Sequence, residues 1–349
     1  MFHLNLSLHF LWHILVRKLL GLAPTLAALV ERRSGGNPQF AVQLVGDWIQ
    51  KAHLVQTEGG FSLKEGIQPE FPSDLQAVWE RRLTAALPPD CDTRCLQLAA
   101  ELGMDVDPGE WAEACEIAEI EIDPSLIETL AKAHVVQPRG RGKGWSFTHT
   151  LVREALKRRA EFEGARKGHH VAVAAMLSNR EGVEFRRGRH LFHAGDLEQA
   201  VDALLLAAKA ARNEGRASML VDLLTLRENA LTQLNVPKTD LRWSQGWMIW
   251  ERYHMRRGDF SKAQLMLEQV LESTRESEET WTLLTRAWNL LGGLYRLKGD
   301  PKTARLYMHK ALESARDDKG LIASVLNKMA TLELGYGNLT LSEELFERA

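Results

Sequence analysis

Residues able to do chemistry are few in this chain. Cys91 and Cys95 lie four positions apart, so one helix face could carry both thiols. Two thiols make no zinc site without a second Cys or His pair at ligand spacing, so structural or surface thiols are expected. His169-His170, and His190 with His193, lack a His-Glu-x-x-His frame and are expected to be packed or solvated. No Gly-x-x-x-x-Gly-Lys-Ser/Thr loop occurs, so the backbone cradle and lysine that hold nucleotide phosphates are missing. Gly140-Arg141-Gly142-Lys143-Gly144 is glycine-rich, but its spacing is wrong and it falls in a hairpin turn instead of between strand and helix. No acidic run able to hold magnesium precedes Leu11, and neither His-Arg-Asp nor Asp-Phe-Gly occurs. The chain alone is therefore expected to carry no catalytic site and no metal, and neither to hydrolyse ATP nor to transfer phosphate.

Two other groups could meet a ligand without reacting with it. Arg153, Lys157, Arg158, Arg159, Arg166 and Lys167 form a basic stretch of the kind that some DNA-binding helices present to the major groove. Glu154, Glu161 and Glu163 interrupt it, which favours a salt-bridged helix surface over DNA reading. Trp243, Trp247, Trp250, Trp281 and Trp288 fall near helical spacings and are expected as core residues, with a minority free to anchor a partner.

The elements that must position these residues follow from composition and periodicity. A chain of 349 residues, 45% apolar and 26% charged, can build two or three cores. A net charge of -2 gives no bulk attraction to nucleic acid or membrane, and three cysteines are too few for a disulfide scaffold, which points to a cytoplasmic location. The Leu-rich start, Phe2 to Leu22, is broken by His3, His9, His13, Arg17 and Lys18 and falls short of the roughly 18 apolar residues of a membrane helix. A short strand and an amphipathic helix fit it better.

From Leu11 to Leu54 the pattern gives two or three helices, broken at Gly21-Leu22-Ala23-Pro24 and at Ser34-Gly35-Gly36-Asn37-Pro38. Pro38 can take the first turn of the helix from Gln39 to Lys51, with Phe40, Val42, Leu44, Val45, Trp48 and Ile49 apolar and Gln43, Asp47 and Gln50 on the polar face. Alternation over His53–Gln56 and Phe61–Leu63 around Glu58-Gly59-Gly60 predicts a hairpin. Helices are then predicted from Pro72-Ser73-Asp74 and from Asp123-Pro124-Ser125. A second hairpin, His134–Gln137 with Trp145–Thr148, precedes a helix starting near Thr150. Short helices closed by a two-stranded wing describe a winged-helix unit, an order that other small α+β domains share.

After Arg186 the strand pattern ends and a phrase recurs: Gly, then Asp or Asn, then a small residue five positions after the Gly. It reads Gly195-Asp196 with Ala200, Gly258-Asp259 with Ala263, Gly299-Asp300 with Ala304 and Gly337-Asn338 with Ser342. Gly allows a tight exit from one helix, the polar residue caps the next, and the small residue lets the two approach. Trp288, Leu291, Gly292, Tyr295, Gly299, Ala304 and Ala311 resemble the tetratricopeptide repeat (TPR) consensus, with Met308 where an aromatic is usual. The Gly markers from Gly258 onward are spaced wider than the roughly 34-residue TPR period. The last copy stops inside its second helix, which suggests a piece of a longer protein.

Ser34-Gly35-Gly36-Asn37-Pro38, Phe40 to Val45, the first hairpin, Phe71 to Leu75 and Phe147 to Leu156 together resemble the C-terminal part of STAND-type ATPase modules. These are AAA-related signalling ATPases that precede TPR arrays in bacterial transcriptional regulators and serine/threonine protein kinases. The resemblance implies a helical lid whose Gly36-Asn37-Pro38 turn lies near a nucleotide base and a winged helix whose His149 reads phosphates. ATP or ADP is then a cofactor of an intact parent protein only, because the P-loop is absent here.

The fold expected is mainly α: a small winged-helix-like α+β unit with two short hairpins, followed by a TPR-like α-solenoid. Residues 1–56 would end the ATPase core and form the lid, 57–165 the hairpin and winged-helix-like domain, and 166–349 the repeats, truncated at the C-terminus. The function expected is that of a non-catalytic regulatory fragment that binds a protein partner, with neither nucleic acid nor membrane as ligand. A stand-alone TPR scaffold and an ATPase or kinase remnant are the alternatives.

Overall fold

The computed structural model describes residues 20–34, 38–65, 67, 75–88, 91–140, 142–274, 277–278 and 280–349. The expectations for residues 2–19 of the Leu-rich start, for Gly36 and Asn37, and for Pro72-Ser73-Asp74 lie outside them. The chain divides into two compact units, Met1–Met176 and Leu177–Ala349.

The first unit opens with α1 (Pro24–Ser34) and α2 (Pro38–Gln50). Their core is Leu26, Ala27 and Val30 against Phe40, Leu44, Val45 and Trp48. Residues 40, 41, 44, 45 and 48 form one helical stripe. Val42 and Ile49, expected among the apolar residues of this face, point out of the stripe and are exposed, whereas Asp47 is buried and bound by Lys51 at 2.9 Å. The predicted hairpin follows as β1 (Leu54–Thr57) and β2 (Gly60–Leu63). Phe61 also bonds the backbone before α1, donating to the Gly21 carbonyl at 2.8 Å and accepting from the Ala23 N–H at 2.9 Å.

Next come α3 (Leu75–Ala86), α4 (Arg94–Leu102), β3 (Asp105–Val106), α5 (Pro108–Ile117), α6 (Leu126–Lys132), β4 (Val136–Pro138), β5 (Trp145–Phe147), α7 (Thr150–Phe162) and α8 (Arg166–Met176). The second predicted hairpin is β4–β5, and β3 joins it to give the strand order β3-β5-β4. The hairpin turn ends at Gly144, whose φ of +84° suits glycine; a Cβ there would meet the Val106 carbonyl oxygen at 2.2 Å. Trp145 packs edge-on against Trp111 and Phe147, and Trp111 donates to the Cys95 carbonyl at 2.7 Å. This aromatic cluster ties the small sheet to α4 and α5. Helix α8 packs on α4 and α5, so it belongs to the first unit, and the division falls after Met176 instead of after residue 165.

The second unit is helical throughout its described residues: α9 (Glu184–Ala194), α10 (Leu197–Asn213), α11 (Ala217–Gln233), α12 (Leu241–Arg256), α13 (Phe260–Ser273), α14 (Trp281–Leu297), α15 (Pro301–Ser314), α16 (Lys319–Gly335) and α17 (Leu339–Glu347). Four hairpins, α9–α10, α12–α13, α14–α15 and α16–α17, meet at the predicted joints, while α11 packs on α10 as an additional helix. Gly195, Gly258, Gly299 and Gly337 have φ of +82°, +74°, +77° and +81°. Asp196, Asp259 and Asp300 each accept a backbone N–H three residues on, from Gln199, Lys262 and Thr303. The fourth joint differs. Asn338 caps no N–H with its side chain and instead donates to Glu333 Oε2, while the buried Ser342 hydroxyl donates to the Ala330 carbonyl. Ala200, Ala263 and Ala304 are fully buried where the paired helices approach.

Candidate functional site

Pro38 stands exposed at the first position of α2, where its missing N–H costs nothing. His149 sits just before α7 in extended backbone, and its Nδ1 accepts the Leu151 N–H at 3.1 Å, so the imidazole serves as the helix cap. The ring stacks on Trp79 at 4.9 Å, and burial holds its pKa below the usual histidine value. An Nδ1 that accepts leaves Nε2 as the protonated nitrogen of the neutral ring. Gly36 and Asn37 lie outside the described residues.

The thiols and histidines do not converge. Cys95 and Cys115 are buried and their thiols are pushed up to about 12, by burial first and for Cys95 by Cys115 next. Among the described residues no group of three or more His, Cys, Asp or Glu side chains could hold a metal ion. Likewise, no described helix is long and apolar enough to cross a membrane. The basic stretch over α7 and the start of α8 is largely engaged within its own unit. Arg153 donates to the Ala100 carbonyl, Arg158 pairs with Glu80, Arg159 with Glu163, and Lys157 and Arg166 with Glu101.

Of the residues picked out as repeat-defining, those from Trp288 to Ala311 lie together in the hairpin α14–α15, while Gly195 with Ala200 and Gly258 with Ala263 lie at the two earlier joints. Gly292 lets α15 approach α14 so closely that a Cβ there would meet Met308 Cγ at 2.5 Å and the Ala304 carbonyl at 3.2 Å. Met308, buried where an aromatic is usual, covers that glycine. Tyr295 stacks on Tyr307 at 5.5 Å, and Trp288 packs against the cluster of Ala304, Ala311 and Leu326.

One face of this array is a groove of about 710 Å³, lined by α12, α14 and α16 with the end of α10. Its floor carries polar residues that the sequence reading did not single out. Glu251 of α12, Asn289 of α14 and Lys328 of α16 line it together, although each belongs to a different hairpin. Asn289 donates through Nδ2 to Ser324 Oγ at 3.1 Å and its backbone carbonyl accepts from Lys328 Nζ at 3.3 Å, while its buried Oδ1 has no hydrogen-bond partner. The Lys328 side chain runs alongside Gly293, with Cδ and Nζ 3.7 Å from where a Cβ would stand, an ordinary contact distance. Lys209, Arg212, Arg252 and Arg286 add four more cations to the lining, against Glu251 and Asp318. Asp318 is committed as the cap of α16, accepting the Leu321 N–H at 2.9 Å. The groove is thus cationic.

Burial pushes Glu251 up to about 7, with Lys328 and Arg252 pulling the other way, and burial lowers Lys328 despite Glu251. The folded chain therefore holds a proton on Glu251 that the unfolded chain releases near 4.5, so this group's contribution to stability falls as pH rises from 4.5 to 7 and then levels off. The loss over that window is roughly 3 kcal/mol. In Glu251→Gln that slope is expected to vanish, which urea unfolding at pH 5, 6, 7 and 8 measures; an unchanged slope would exclude Glu251 as its source.

A signal for the groove was present in the sequence: Glu251 has Trp247 and Met248 one turn before it and Met255 one turn after, a charge set in an apolar stripe. Residues 285–318 match the tetratricopeptide repeat. That segment is α14–α15, the hairpin that supplies Arg286 and Asn289 to the groove. The chain as a whole is mainly helical, with few short strands and a TPR-like repeat region. Among solved structures, a signal transduction ATPase with numerous domains (STAND) that has a tetratricopeptide repeat sensor, from Pyrococcus horikoshii, aligns with 97% of this chain at 12% identity and a TM-score of 0.34. This chain spans 58% of that protein's chain, and a score this low carries no argument about the present fold. No curated protein matches the chain.

Proposed function

We propose that this chain is a non-catalytic regulatory fragment whose TPR-like array binds a protein partner through the α12–α14–α16 groove, and that the partner lays an acidic segment across it. The observation that carries this is the groove itself: five cations line it, Asn289 on its floor has a buried Oδ1 with no hydrogen-bond partner, and Glu251, raised to about 7, carries only part of its charge at neutral pH. The sequence resemblance of residues 34–45 and 147–156 to STAND-type modules supports a second part of the reading. The first unit is then a lid and winged helix whose closure over nucleotide, in a parent ATPase of signalling type, is biased by what the array binds. A chain without a P-loop would sense and transmit but not turn over nucleotide.

Titration of the purified chain with hexaglutamate and hexalysine, followed by calorimetry, tests the groove. Hexaglutamate is expected to bind with an affinity that falls steeply with salt, and Arg252→Glu with Arg286→Glu is expected to weaken it by more than about tenfold. Hexaglutamate binding that is indifferent to salt, or to the double reversal, would overturn the reading. The same preparation is expected to release no phosphate from ATP and magnesium above a buffer blank.

A further inference from the structure

A second concavity of about 770 Å³ lies between the linker after α11, α12 and α13, and it is built from aromatic faces. Trp243 and Trp247 stack at 6.0 Å, and Trp250 stacks on His254 at 5.6 Å. Into this space reaches Lys238, from the linker between α11 and α12, with Nζ 2.9 Å above the Trp243 ring and 5.9 Å from that of Trp247. Indole faces are the strongest side-chain partners for a cation, and an ammonium held at this range is a full cation–π contact.

The acceptors around the rings suit the same kind of guest. Glu228 on α11 lines the space and accepts the Trp250 indole N–H at 2.7 Å, which leaves carboxylate lone pairs for another donor. Glu272 on α13 also lines it and is exposed. Gln269 presents a buried Oε1 that has no hydrogen-bond partner. Lys262, the other cation of the rim, is occupied by Asp259 at 2.9 Å. The volume is what stands open beside Lys238, and the backbone that carries Lys238 is a linker and not a helix.

We propose that this aromatic pocket is a binding site for the cationic side chain of a partner polypeptide, which takes the place that Lys238 holds in the free chain. Lys238 is then an internal competitor. It keeps the indoles and Glu228 covered until a better-placed ammonium or guanidinium group, attached to a segment that also reaches Glu272 and Gln269, displaces it. The partner segment has basic character, the opposite of the one proposed for the groove, so one array would hold two unlike segments at once.

The test is tryptophan fluorescence of the full chain titrated with hexalysine, and separately with tetramethylammonium chloride, at constant ionic strength. Lys238→Ala is expected to bind hexalysine about tenfold tighter than the unaltered chain, since a competing cation–π contact has been removed. Adding Glu228→Gln or Glu272→Gln to that variant should reverse the gain. Both changes are small and leave the buried Trp243 and Trp247 in place. Hexalysine binding that Lys238→Ala leaves unchanged or weakens would reduce Lys238 to a packing residue and overturn the proposal. Response to tetramethylammonium without response to hexalysine would overturn the polypeptide as occupant. Because Arg252 and Arg286 lie outside this pocket, the double reversal that tests the groove should leave hexalysine binding by Lys238→Ala intact.

Discussion

Replacing Glu101 by alanine is expected to destabilise the first unit by about 3–5 kcal/mol, the cost of leaving buried cations without their counter-charge. Glu101 is buried at the end of α4. Arg166 Nε donates to its Oε1 at 2.9 Å, Lys157 Nζ stands 3.7 Å from Oε2 and His170 Nε2 3.6 Å from Oε2. Burial by itself would raise the pKa of this carboxyl, but His170, Lys157 and Arg166 outweigh it and hold the group below its ordinary 4.5. With the folded value depressed, the stabilisation is present above 4.5 and is lost as pH falls through the folded value. Glu101→Ala should therefore lower stability at pH 7 and flatten the acid limb of the stability profile, both read by urea unfolding. Glu101→Gln, which keeps an acceptor for Arg166, should lose less. A loss under about 1 kcal/mol in the alanine variant would mean that water replaces the carboxylate and that the site is not dry.

The second large effect is expected at Gly292. Leucine there must push α15 away from α14, because the first added carbon already lies 2.5 Å from Met308 Cγ and 3.2 Å from the Ala304 carbonyl oxygen. Overpacking of this kind costs about 3 kcal/mol or more. Its functional consequence is larger than the number suggests, since α14 supplies the central residues of the groove. Gly292→Leu is expected to lose hexaglutamate binding along with stability, whereas Gly292→Ala combined with Met308→Ala should recover part of both by restoring room. A double-mutant cycle on stability measures that coupling directly. Additive effects would show that residues 292 and 308 do not meet as the structure places them.

What was legible in the sequence was whatever depends on local chemistry. The joints at Gly195, Gly258, Gly299 and Gly337 could be read because a left-handed glycine, a capping side chain and a small residue sit within five positions of one another. Both hairpins could be read because their strands alternate around glycine turns. Helix α11 was not legible as a separate element. Its joint, Gly215-Arg216, has a left-handed glycine but no side-chain cap, and Leu220 stands where the other joints have a small residue. Strand β3 is two residues long, and no period can be seen in two residues. The exposure of Val42 and Ile49 reflects a stripe on α2 narrower than its apolar content suggests. The charge of Glu251 in its apolar stripe could mark one member of the groove, but not the groove as an assembly. Glu251, Asn289 and Lys328 lie on three hairpins, and only the stacking of those hairpins makes them neighbours.

Hairpins stacked in this way also answer to mechanical load. Glu251 and Lys328 feel each other electrostatically across α14, the second hairpin reaching the fourth past the third. A spring whose coils touch only their neighbours stores bending locally, but here a charge coupling runs over two coils. Any bend that spreads α12 from α16 weakens the pull of Lys328 on the Glu251 carboxylate, which favours the proton, and relieves the burial that raises this group most, which favours its release. By reciprocity, the curvature of the array and its proton count are two readings of one variable.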